Sequence, residues 1–157
     1  MTPEPSLDNG KPHTGGLPPQ NFFASRRPVG GKLVAVMQGR LDGRGLQLIL
    51  QPSRAVCRGE VHELIVSTEH GIGPGSTVNR VTYVGFIEFD LGGVIYIGDT
   101  VRIGNVEIGR IAGFDSTHLP NHMNIVIAAV ELKSGLERGL SLEQAVTIQS
   151  APLEKEK

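Results

Sequence analysis

The stretch Gly85-Phe-Ile-Glu-Phe-Asp-Leu-Gly-Gly-Val-Ile-Tyr-Ile-Gly-Asp-Thr-Val-Arg-Ile-Gly104 decides the fold. Short runs of β-branched and aromatic residues alternate with glycine corners, and no apolar spacing of three and four residues runs through them. β-branched and aromatic side chains suit a pleated surface, and glycine supplies the backbone freedom that tight corners need. The stretch therefore reads as strand, corner, strand, corner, strand.

The same pattern extends in both directions. Strands are predicted over 31–37, 46–50, 60–66, 77–83, 85–89, 94–97, 100–103, 106–112 and 125–132, with Asp42-Gly43 as a hairpin turn pair. Only 135–144 has helical character, and there Ser141 to Ala145 would make one capped turn. Within 60–66 the period of two puts Val61, Glu63 and Ile65 on one face and His62, Leu64 and Val66 on the other. An all-β chain with many short strands is expected to form a small closed β-barrel, because closure removes unpaired strand edges; a sandwich is the competing layout. A faint echo, Gly75-Ser-Thr-Val78 against Gly98-Asp-Thr-Val101, suggests either a duplicated unit or the repeated needs of barrel corners.

A chain of 157 residues suits one domain. Residues 1–28 are rich in proline and poor in aliphatics, so they read as a disordered N-terminal tail. The interruption Asn21-Phe-Phe-Ala24, followed by Ser25-Arg-Arg27, would either pack loosely or dock as a short lid. Residues 29–151 form the expected barrel domain, and 152–157 a charged C-terminal end. With 15 basic against 16 acidic residues, the chain lacks the electrostatic footprint of a nucleic-acid binder. Cys57 is the single cysteine, which rules out a disulfide framework and favours a reducing compartment; flanking Arg54 and Arg58 notwithstanding, it reads as a small buried residue. No signal-peptide pattern and no membrane-length apolar run is present, so a cytoplasmic protein with no membrane partner is expected.

The candidate site is Ala112-Gly-Phe-Asp-Ser-Thr-His-Leu-Pro-Asn-His-Met-Asn-Ile-Val-Ile127, where polar side chains crowd between two apolar runs. In an acid-base reading Asp115 orients His118 for proton transfer, while Asn121, His122 and Asn124 hold a polar ligand. In a structural reading Asp115 and Thr117 fix a turn through side-chain-to-backbone bonds. His118 and His122 stand at helical metal-ligand spacing, but Pro120 between them breaks a helix, so no metal or other cofactor is expected. Glu60, His62 and Glu63 have the composition of a cluster, yet strand alternation turns His62 away from both glutamates.

Residues 84–132 also resemble a known family. The stretch from Phe86 to Gly104, running on to Gly109-Arg-Ile-Ala-Gly-Phe-Asp115 and Asn121-His-Met-Asn-Ile-Val126, is similar to the glucitol/sorbitol-specific IIA component of the bacterial sugar phosphotransferase system. The resemblance implies a Greek-key arrangement of the barrel. Where that family carries its phosphoryl group on a histidine, this chain has Glu88-Phe-Asp90, so the phosphoryl-carrying role does not transfer, and Glu88 and Asp90 are read instead as ligand contacts. The whole chain more closely resembles bacterial domains of unknown function. The expectation is a small-molecule-binding or regulatory barrel of bacterial metabolism; the alternative is a small accessory-metabolism isomerase, cyclase or hydrolase using the Asp115 and His118 pair. Its exposed apolar strands further suggest a homo-oligomer.

Overall fold

In the computed structural model, residues 21–151 are described, and among them every regular element is a strand. The strands are β1 (Val29–Val36), β2 (Arg40–Leu41), β3 (Leu46–Gln47), β4 (Ser53–Val56), β5 (Val61–Ser67), β6 (Thr77–Val78), β7 (Val81–Leu91), β8 (Gly93–Tyr96), β9 (Thr100–Ile103), β10 (Val106–Asp115), β11 (Asn124–Ala128) and β12 (Ala145–Gln149). The main sheet runs β1-β12-β9-β10-β11-β5-β7, and β1 also pairs with β7, so these strands close into a ring of hydrogen-bonded neighbours. β2 hangs on the far side of β7, while β3–β6 and β4–β8 form separate ribbons.

One core fills the ring. Leu33, Leu64, Ile87, Phe89, Phe114, Ile125, Ile127 and Ile148 are buried together there. A second core lies outside it, where Leu46, Leu48 and Val78 of the β3–β6 region cover Ile65, Val81, Ala112 and Val126. β5 and β11, the one parallel pair among the described residues, are therefore buried on both faces, which is why Ile125-Val-Ile127 reads as a continuous apolar run and not as an alternating one. The β5 faces follow the period of two: Leu64 and Val66 enter the ring, and Ile65 lies under the ribbon.

Several expectations change. Predicted strands 77–83 and 85–89 contribute to the single strand β7, and β4 and β12 were not expected. In place of a helical turn over 141–145, the segment makes a turn in which the Ser141 N–H donates to Gln144 Oε1 at 2.8 Å, then extends as β12 with Val146 and Ile148 facing the core. Asp42-Gly43 does not join a hairpin, since β2 pairs with β7 and β3 with β6. The Gly75/Gly98 echo is a repeated turn: both glycines have positive φ (84° and 87°). In each, the next residue's N–H donates to the carbonyl three residues back, and its side chain accepts that residue's N–H, through Ser76 in one and Asp99 in the other.

The tail expected over residues 1–28 falls partly outside the described residues. Residues 21–28 make no strand but lie against the ring, where Arg26 pairs with Asp99 and Phe23 packs edge-on against Tyr96. The C-terminal end expected over 152–157 lies outside the described residues. Among the described residues no helix is long and apolar enough to cross a membrane.

Candidate functional site

Strand register assembles the site. Asp115 on β10 stands opposite Asn124 on β11, Asn124 beside Glu63 on β5, and Glu63 opposite Phe86 on β7, so the four share one row on the outer face of the ring. The loop 116–123 folds back over this row. The His118 carbonyl accepts from the Asn121 and His122 N–H groups at 2.9 and 3.3 Å, and this turn stacks the two imidazoles with centroids 5.0 Å apart. The Leu119-Pro120 peptide within it is cis.

Asp115 and His118 are not brought together. The fully buried Asp115 carboxylate accepts from Thr117 N at 3.0 Å and Asn124 Nδ2 at 3.2 Å on Oδ1, and from Gln47 N at 2.9 Å on Oδ2. It ties the loop and β3 to the end of β10, a clamp with its oxygens committed to backbone and amide donors. His118 is exposed and meets Arg44 Nη2 at 3.2 Å through Nε2. Arginine only donates, so that bond makes His118 Nε2 an acceptor and leaves the proton on Nδ1.

The carboxylate that reaches a loop histidine is Glu63. His122 Nε2 lies 3.2 Å from Glu63 Oε1, and His122 Nδ1 lies 3.0 Å from Asn121 Nδ2. An amide donating to Nδ1 leaves His122 Nε2–H to donate to Glu63. Phe86 packs edge-on against this ring at 4.9 Å. Burial pushes the Glu63 carboxyl above the usual carboxylate range, with the nearby His118 and Arg44 acting the other way. Among the described residues its buried Oε2 has no hydrogen-bond partner, and neither has Oδ1 of its neighbour Asn124.

A second pair lies on the other side of the loop. His62 Nε2 meets Glu60 Oε1 at 2.9 Å, while His62 Nδ1 accepts the Met123 N–H at 3.0 Å. The latter bond fixes the proton on Nε2, where it is donated to Glu60. Burial raises the Glu60 carboxyl, but hydrogen bonds from the Cys57 N–H and the His62 ring outweigh it and hold the group below the usual range. Strand alternation does not separate this pair, because β5 begins only at Val61, leaving Glu60 in the turn after Gly59 (φ 91°) and free to curl back. Glu60 and His62 line an open groove of about 590 Å³ together with Arg54, Val61 and the loop residues Leu119, Pro120 and Asn121. Arg54 Nε is buried and has no partner among the described residues.

Of the remaining candidates, Asn124 is a buried partner of Asp115, and Asn121 lines the groove while touching His122. Glu88 and Asp90 are exposed on β7, and neither makes a side-chain hydrogen bond among the described residues. Cys57, expected to be buried, is exposed. Among the described residues no three His, Cys, Asp or Glu side chains are set to hold a metal ion.

No curated protein and no solved structure matches this chain. A model described as a family of unknown function (DUF6917) matches residues 23–149, the span from the Phe23 contact to the last residue of β12, and the chain belongs to that family.

Proposed function

We propose that this protein binds a small polar molecule in the groove between the β4–β5 region and the 119–121 loop, as a binding or regulatory barrel. The observation that carries this reading is Arg54, which lines a groove that already holds an oriented carboxylate and whose Nε–H is a buried donor with no partner among the described residues. An unmet buried donor costs about 1–3 kcal/mol, which a ligand acceptor would recover. Glu60, kept ionised by the Cys57 N–H and by His62, would accept from a hydroxyl or amine of the same ligand. Val61, Leu119 and Pro120 supply an apolar wall. The ring of strands supports a closed, Greek-key-like barrel of the glucitol/sorbitol IIA kind, without that family's phosphohistidine. We place the protein in the bacterial cytoplasm and leave association of copies as part of the proposal.

The groove favours one second reading, a small isomerase, cyclase or hydrolase in which Glu60, and not the Asp115 and His118 pair, takes the proton. His62 cannot be the base while Nδ1 holds the Met123 N–H. It would orient Glu60.

A thermal-shift screen of sugars, polyols, amino acids, organic acids and divalent cations tests the binding reading. A ligand present at 100 times its Kd should stabilise the protein by about 2.7 kcal/mol. Arg54→Gln should lose that shift and His118→Ala should keep it. A shift that survives Arg54→Gln and Glu60→Gln together would place the ligand elsewhere. Incubation with phosphoenolpyruvate and the general phosphotransferase proteins should leave this chain unphosphorylated.

A further inference from the structure

The segment 21–28 is held to β8 and to the corner before β9 by side chains alone. Among the described residues, none of its backbone groups bonds to the ring; the Phe23 N–H turns back to Asn21 Oδ1. Its anchors are Phe23, Arg26 and Arg27. Arg26 Nη1 donates to Asp99 Oδ2 at 2.7 Å and to the Val94 carbonyl at 2.9 Å, and Nη2 donates to Asp99 Oδ1 at 2.6 Å. The guanidinium carbon lies 5.6 Å from the Tyr96 ring centre and 5.5 Å from that of Phe23. Arg27 donates twice to the Gly92 carbonyl.

The receiving surface is built for this. The Asp99 side chain is 3% exposed, and the carboxylate is aimed by the Tyr96 N–H, which donates to Oδ2 at 2.9 Å. Planar, two-pronged pairing plus an aromatic face selects guanidinium over ammonium. The buried Tyr96 hydroxyl has no partner among the described residues, and a cleft of about 380 Å³ remains between the segment and Ile97, Asp99, Arg110 and Ser150.

We propose that this cleft is a recognition site for an extended peptide of the pattern Phe-x-x-Arg-Arg, filled here in cis by residues 23–27. Recognition by spaced side chains, with the backbone unpaired, is how a pocket reads a peptide and not how a strand joins a sheet. The open part of the cleft, toward Arg110 and Ser150, is what a longer or differently placed peptide would engage. An arginine-bearing segment from another chain competes with the cis copy, which acts at an effective concentration in the millimolar range.

The test is fluorescence anisotropy with a labelled peptide, Asn-Phe-Phe-Ala-Ser-Arg-Arg-Pro. It is added to the whole protein and to the whole protein carrying Phe23→Ala, Arg26→Ala and Arg27→Ala. The triple variant should bind at least about tenfold more tightly than the wild type, because its site is vacant. Lysine in place of the peptide's first arginine should weaken binding by about tenfold or more. Adding Asp99→Asn to the triple variant should abolish binding. A triple variant that melts cooperatively but ignores the peptide overturns the proposal, as does equal binding by wild type and variant. Free arginine binding as tightly as the peptide overturns the peptide assignment. If the triple variant does not fold, Arg26→Lys, which keeps a cation against Asp99, should bind the peptide more tightly than wild type; failure there is equally decisive.

Discussion

Two carboxyl–imidazole pairs lie on either side of one short loop, and they behave in opposite ways. Glu60 and His62 face the groove, with the carboxyl held below its usual range by two donors. Glu63 and His122 lie on the outer row under the stacked imidazoles, with the carboxyl pushed up by burial and one oxygen unmet. Only two residues separate the glutamates in sequence, yet one sits in a turn and the other inside a two-faced strand. Donor supply, and not proximity to histidine, decides which carboxylate is ready to meet a ligand.

The largest effect expected from breaking the comparison is on stability. His62→Ala would remove the acceptor of the Met123 N–H, the donor to Glu60 and a buried ring against Phe89, at a cost of about 2–4 kcal/mol in chemical denaturation. His122→Ala should cost less, since it leaves no backbone N–H unpaired. A His62 variant as stable as wild type would show that the groove pair is not built into the core.

The two glutamates should next give opposite pH slopes. Glu63 has a raised carboxyl, so its ionisation opposes folding: wild type should match Glu63→Gln best below the ordinary Glu range and lose ground to it as pH rises through the raised value. Glu60 has a lowered carboxyl, so its contribution is present above the ordinary range and fades as pH falls through the lowered value. Glu60→Gln should therefore be less stable than wild type at neutral pH, with the gap closing in acid. Melting temperatures of the three proteins across pH 3–8 check both signs. The smallest effect belongs to His118→Ala, which removes an exposed ring and should change stability by about 0.5 kcal/mol or less.

Much of the strand pattern was legible because β-branched runs and glycine corners announce themselves locally, as around β8 and β9. β12 was not, since five residues beside a turn carry too little pattern to outvote a capping signal. The loop 115–124 stands out in the sequence as a dense polar segment, and the turn bond between Asp115 and Thr117 is legible there, but the other partners of its side chains are not. Asp115 looked like the partner of His118, three residues away; its actual donors are Gln47, Thr117 and Asn124, two of them distant in sequence and set by register. Glu60 and Arg54 had no local signal: the first depends on where β5 starts, and the second becomes notable only because its Nε is buried unpaired.

The most direct measurement follows Arg54 Nε–H and the carboxyl carbons of Glu60 and Glu63 by NMR while a ligand from the screen is added to the whole protein. The account predicts a large shift at Arg54 Nε–H and at Glu60, with Glu63 and His118 unmoved. Shifts confined to Glu63 and His118, with Arg54 unchanged, would contradict it.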